Sequence, residues 1–133
     1  MKRIQTEKMK NLIIYTLCLF TIGVQAQSDV FEAIRSGDAE KVSNLMDRSV
    51  ELCFDDRVDF VDRPQASKAL AKFFKNNPPK SFNRVHKGNS PGADSKYLIG
   101  KYVSTNGSSY RVYIFSKNLG SGQVIQELRF DTE

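Results

Sequence analysis

The sequence predicts an α+β domain in which two short N-terminal helices and one longer helix pack on a strongly curved, cone-like antiparallel sheet of about five to six strands. Three observations predict it. Apolar residues recur at helical spacing through residues 30–46 and again through 66–74, the period switches to alternation at Val50, and from Ser81 onward apolar-alternating stretches are separated by Gly- and Asn-containing turns. With 133 residues, 40% of them hydrophobic and 26% charged, the chain has material for one compact domain. That usage excludes an intrinsically disordered chain, a collagen repeat and a multi-span membrane protein.

The first 27 residues carry an address. Lys2, Arg3, Lys8 and Lys10 precede an almost wholly apolar run from Leu12 to Val24, and Val24-Gln25-Ala26 supplies a small-residue cleavage site. This pattern is a secretory signal peptide over residues 1–27, and the run is too short for a transmembrane anchor. Met9-Lys10-Asn11 offers an alternative start. Cys18 lies inside the apolar run, after Tyr15-Thr16-Leu17, and so lacks the setting of a lipid-anchored cysteine. The expected product is an exported, periplasmic or secreted single domain over residues 28–133. It retains only Cys53, so no internal disulfide is expected and packing must supply the stability.

Within that domain Ser28 or Asp29 is placed to cap a first helix bearing Val30, Phe31 and Ile34, and Gly37 to end it. Asp38 caps a second helix carrying Val42, Leu45 and Met46. From Val50, the residues Val50, Leu52 and Phe54 alternate with Glu51, Cys53 and Asp55 as a strand with one wet face, and Asp55-Asp56-Arg57 turns it back toward Val58 and Phe60. Asp62-Arg63-Pro64 opens the long helix, which presents Ala66, Ala69, Leu70, Phe73 and Phe74 on one side and Lys68, Lys72 and Lys75 on the other. Pro78-Pro79 ends it. Strands are then expected over about 81–88, 96–104, 109–117 and 123–131, with Asn106-Gly107 as a hairpin turn and residues 118–122 as a looser one.

This order resembles the α+β cone of the nuclear transport factor 2-like superfamily. More closely, residues 29–130 resemble a bacterial exported family known as domain of unknown function 4783. The likeness is carried by the run Ala33 to Ala39, by Gln65-Ala66 leading to Phe73-Phe74, by Phe82 with His86-Lys87-Gly88, by Tyr97-Leu98-Ile99-Gly100, by Tyr110-Arg111-Val112-Tyr113, and by Ile125 to Phe130. These are mostly core and turn positions, so the resemblance implies a fold and no activity. Cone enzymes of the superfamily place an Asp or His base with Tyr or Asp donors inside an apolar mouth, where desolvation tunes the base.

Few residues here offer that chemistry. Asp55, Asp56 and Asp59 fall in the turn or out of phase with the apolar face. His86, the single histidine, alternates with Phe82 and Arg84; on that phase it turns toward the cone, with Tyr102, Arg111 and Tyr113 as the other members of a candidate pocket. The alternative is a structural or surface histidine. No His or Cys partner stands at ligand spacing, no Gly-x-Ser-x-Gly elbow occurs, and no glycine cluster opens a helix, so no metal and no cofactor is expected. Tyr97, Tyr102, Tyr110, Tyr113 and Phe115 either line a site for a small amphipathic ligand or form cross-strand pairs that stiffen the sheet.

The formal charge of +5 is unevenly spread. Four of the 20 basic residues and one of the 15 acidic residues belong to the signal, which leaves +2. Residues 28–62 hold ten acids and four bases, whereas residues 63–117 hold eleven bases and Asp94 alone as an acid. Lys68, Lys72, Lys75, Lys80, Arg84 and Lys87 form a candidate basic patch for an anionic envelope component; the alternative is that acidic and basic regions satisfy each other. Nucleic acid is not expected as a partner. The expected function is a non-catalytic exported binding domain holding a small amphipathic ligand or a cell-envelope partner. The alternatives are a small isomerase, dehydratase or hydrolase using His86, and a self-associating structural domain forming a homodimer through the sheet.

Overall fold

A computed structural model describes residues 26–89, 94–120 and 122–133. The expected signal peptide, apart from residues 26 and 27, and both candidate start sites lie outside the described residues. Among the described residues no helix is long and apolar enough to cross a membrane.

The chain forms helix α1 (Ala26–Arg35), helix α2 (Ala39–Asn44), strands β1 (Met46–Phe54) and β2 (Arg57–Asp62), helix α3 (Arg63–Asn76), and strands β3 (Pro79–Asn89), β4 (Ser95–Ser104), β5 (Ser109–Asn118) and β6 (Gln123–Thr132). Helix α1 begins at Ala26, earlier than its expected caps at Ser28 or Asp29, and Asp29 sits in its first turn, where a negative charge favours the helix dipole. Gly37, at φ +67°, ends it. The Asp38 amide donates to the Ala33 carbonyl and the Gly37 amide to that of Ile34, both at 3.0 Å, closing a Schellman turn. Asp38 then caps α2 by accepting from the Lys41 amide. That helix stops at Asn44, so Met46 starts β1 and does not end the helix.

The long helix follows the sequence closely. Asp62 accepts from the Gln65 amide while the Gln65 side chain accepts from the Asp62 amide, a complete capping box ahead of Pro64. Ala66, Leu70, Phe73 and Phe74 are buried at i, i+4, i+7 and i+8, and Lys68, Lys72 and Lys75 are exposed.

The six strands form one open sheet in the order β2-β1-β6-β5-β4-β3. Four of the pairings are antiparallel, as expected, but β1 pairs with β6 in parallel. The sheet is therefore mixed. The meander starts at the far edge and works inward, so β6 arrives beside the first strand, an orientation that alternation within each strand does not encode. The Asp55 amide donates to the Phe130 carbonyl, and the Ile125 amide to that of Leu45, at the two ends of this pairing. Register breaks between Arg84 and His86 and between Phe115 and Ser116 bend and twist the strands.

The helices cover one face of the sheet. Phe82 stacks on Phe31 of α1 with ring centroids 4.6 Å apart, and Phe73 of α3 lies among Phe54, Phe130, Tyr102 and Tyr110 at 4.4–5.7 Å. Tyr102 is fully buried, and its hydroxyl donates to the Asn77 carbonyl. Burial, reinforced by the neighbouring Tyr110, pushes the Tyr102 phenol well above its ordinary value of about 10. The folded protein therefore holds a proton that the unfolded chain releases. Its contribution to stability is full below about pH 10 and declines as pH rises beyond that. Urea titrations between about pH 8 and 11 should show this decline, and Tyr102→Phe should flatten it; an unchanged slope in the variant would assign the loss to other groups.

Candidate functional site

The four candidate pocket residues do not converge. Tyr102 lies in the core on the helix-covered face, whereas His86, Arg111 and Tyr113 lie on the opposite, outer face. For His86 the cause is the bulge in β3. Arg84 pairs with Gly100 and His86 with Ile99, so Val85 is the extra residue and the histidine is turned outward. Its imidazole is exposed, with Nε2 3.1 Å from the Tyr97 hydroxyl and the Tyr97 ring laid over Gly88. Arg111 and Tyr113 alternate with Val112 and Ile114, and it is the latter pair that faces the helices.

The aromatic set divides in the same way. Tyr102 and Tyr110 are cross-strand partners on the inner face, while Tyr97 pairs with Phe115 and stacks near Tyr113 on the outer one. This is the cross-strand arrangement, not a single tyrosine-lined pocket.

The six basic candidates are all exposed but do not share one face. Lys68 and Lys72 rim a cleft beside α3. Lys75 borders a separate, shallow depression with Ser36, Gly37, Asp38, Phe74 and Pro79. Lys80, Arg84 and Lys87 lie along the edge strand β3, where the Arg84 guanidinium sits 5.2 Å from the centre of the Phe31 ring.

That cleft, of about 720 Å³, opens between α3 and the β1–β2 hairpin and lies in the range of small-molecule sites. Leu52, Phe54, Phe73, Tyr110 and Phe130 form its apolar lining. Phe60 stands at the hairpin edge and is 75% exposed. Helix geometry places Gln65, Lys68, Ala69, Lys72 and Asn76 along the facing wall, since steps of three and four residues stack on one side. The end wall is tied together through Asn77. Its side-chain oxygen accepts from the Tyr110 hydroxyl at 2.9 Å and from Asn106 Nδ2 at 3.0 Å, and its amide nitrogen donates to the Phe73 carbonyl.

The rim carboxylates are engaged. Asp59 accepts from Arg57 at 2.9 Å. Asp55, at φ +53°, accepts from the amide and hydroxyl of Thr132 at 2.7 and 3.0 Å and so anchors the end of β6. No histidine is among the lining residues. The lining thus suits holding an apolar group against aromatic rings.

On the outer face Glu51, Cys53 and Glu127 bring three potential metal-ligand atoms within 4.8 Å of one another. Arg129 occupies the middle of this group, with Nη2 3.6 Å from Cys53 Sγ and 3.8 Å from Glu51, and Nε 3.5 Å from Glu127. A fixed cation already offsets these acids. Burial raises the Cys53 thiol above its ordinary pKa, with the Arg129 charge acting in the opposite direction.

The curved sheet with three helices on one face is an α+β fold shared with solved structures described as NTF2-like. A putative dehydratase from the NTF2-like family of Streptomyces avermitilis shares the fold, with a TM-score of 0.63 at 15% identity over 81% of this chain and 91% of that one. Residues 27–131 match the family described as Domain of unknown function (DUF4783), and the chain belongs to that family. A family protein from Bacteroides ovatus ATCC 8483 is 31% identical, with a TM-score of 0.73 over 79% of this chain and 93% of that one. Another, from Bacteroides fragilis YCH46, is 28% identical with the same TM-score over 84% and 99%. No curated protein matches the sequence.

Of the lining residues, Phe54 and Asn77 are not among the candidate site residues of the sequence, whereas Tyr110 is in the aromatic set offered for an amphipathic ligand. Asn77 was visible only as a residue between a helix and Pro78-Pro79, and its side chain matters because three neighbours converge on it.

Proposed function

We propose that this is an exported, non-catalytic binding domain that holds a small amphipathic ligand in the cleft between α3 and the β1–β2 hairpin. The observation that carries this reading is the cleft itself: an aromatic lining, a polar rim and engaged carboxylates. The position of His86 on the exposed outer face, bonded to Tyr97, removes support for an isomerase, dehydratase or hydrolase built on that base.

Ala69 is half-buried on the cleft wall, so Ala69→Trp projects a large ring into the space with little demand on the core beneath it. Native mass spectrometry of the protein recovered from its own envelope fraction should detect a retained small molecule, and Ala69→Trp should abolish its retention while shifting the melting temperature little. A wild-type protein that is repeatedly empty and binds no envelope component would refute the reading.

A second reading, self-association through the sheet, is favoured by the outer face. Val58 and Phe60 are exposed there, and Tyr97, Ile99, Tyr113 and Phe115 are only partly covered. Sedimentation that gives a monomer at high concentration would remove it.

A further inference from the structure

We infer that the occupant of the cleft is an anionic amphiphile, with an apolar body on the aromatic floor and a single negatively charged headgroup held by Lys68 and Lys72. This rests on the cleft being a ligand site and adds the charge class of the ligand.

The argument is an inventory of donors and acceptors. Helix α3 contains no acidic residue, and Lys68 and Lys72 stand one helical turn apart on the wall that faces the hairpin. Among the described residues no carboxylate lies within 4.0 Å of either ammonium group. The two acids of the opposite rim are engaged elsewhere, Asp59 with Arg57 and Asp55 with Thr132. Asn77 directs its side-chain oxygen to Tyr110 and Asn106, and Gln65 uses its side-chain oxygen in the helix cap, which leaves its amide nitrogen as a further donor.

Uncommitted cationic donors therefore line one wall of a cleft whose anionic groups are already bonded. A negative headgroup at the rim completes these lysines, and its proximity to the aromatic floor limits the screening that weakens fully exposed ion pairs. A neutral ligand of the same shape leaves both lysines in water. A cationic one meets repulsion.

The test is calorimetric titration of the purified protein with three shape-matched probes: 4-phenylbutyrate, 4-phenylbutanamide and 4-phenylbutylammonium. The butyrate is expected to bind about tenfold more tightly than the amide, which is the scale of one charge-assisted hydrogen bond, and the ammonium more weakly still. The double variant Lys68→Gln/Lys72→Gln, confined to exposed side chains, should bring the butyrate down to the amide's affinity and leave the amide unchanged.

Equal binding of butyrate and amide by the wild type, or a preference that survives the double variant, would overturn the charge assignment while leaving the cleft as a ligand site. Failure of all three probes to bind would overturn the ligand site as well. Failure of the butyrate accompanied by lysine-dependent sedimentation with phosphatidylglycerol vesicles would assign the two lysines to a membrane surface instead, against the inference.

Discussion

Phe73→Ala is expected to lower the stability of the domain by about 3–5 kcal/mol, the range for removing a buried phenylalanine. Phe73 is 9% exposed and is the ring on which the interior converges, 4.4 Å from Phe130, 5.0 Å from Tyr110 and 5.3 Å from Phe54 between centroids. Truncation loses the transfer energy of the ring and leaves a void bordered by at least three other rings, which cannot all move into it without breaking the stacking they make with one another. A urea titration reads the effect as a lower midpoint at nearly constant slope. Phe73→Leu should recover part of the loss by refilling volume. The same ring lines the cleft, so in whatever fraction of Phe73→Ala remains folded the floor is deeper and the fit of any apolar ligand poorer. A loss below about 1 kcal/mol would show that Phe73 is not the keystone its contacts suggest.

Gly100→Ala is expected to cost about 1–3 kcal/mol or more through the opposite fault, an added atom where no space exists. A Cβ at this position would lie 2.6 Å from Cζ of Phe82 and 3.1 Å from the Asn83 carbonyl oxygen. Phe82 has nowhere to go: it is fully buried and stacked on Phe31, which ties α1 to the sheet. The methyl group therefore either displaces α1 or parts β3 from β4. Alanine at Gly107, where a Cβ meets nothing within 4 Å, serves as the contrast, since its cost arises only from the positive φ of a turn. Thermal unfolding of the two variants separates the mechanisms: loss of α1 packing at Gly100, and a weakened hairpin turn at Gly107.

These two sites also mark what the sequence made legible. The spacing of Ala66, Leu70, Phe73 and Phe74 and the cap at Asp62 identify the long helix and its buried side, because both signals are local and period-based. The hairpin at Asn106-Gly107 and the strand limits are legible for the same reason. The alternation of Val50 and Leu52 correctly puts these two residues inside. The parallel partnership of β1 and β6 depends on where a strand more than 70 residues later returns, as Leu52 facing Leu128 illustrates, and no local pattern reports it.

The candidate site was less legible than the fold, and His86 shows why. A strand phase read from Phe82 holds only while pairing is regular, and one extra residue at Val85 inverts every side chain beyond it. Arg111 and Tyr113 failed differently. Residues 112–115 are apolar or aromatic in both phases, so only the charge of Arg111 marks its phase as the outer one. The cleft itself is assembled from β1, β2, α3, β5 and β6, and its most connected polar group, Asn77, is identified by what reaches it from Tyr110 and Asn106.

The open sheet gives the remaining basic residues a role independent of any ligand. Strand β3 is eleven residues long and has a neighbour on one side only, so its free backbone groups, apart from the Phe82 carbonyl that accepts from Arg35, are a template on which a second chain could add a strand. Lys80, Arg84 and Lys87 line that edge, and the bulge at Val85 breaks its straightness. Two copies approaching edge to edge would bring like charges together along a kinked line, which raises the energy of the first contact from which fibrous aggregates grow. The basic stretch after α3 thus acts, along β3, as insulation against edge-to-edge pairing of two copies.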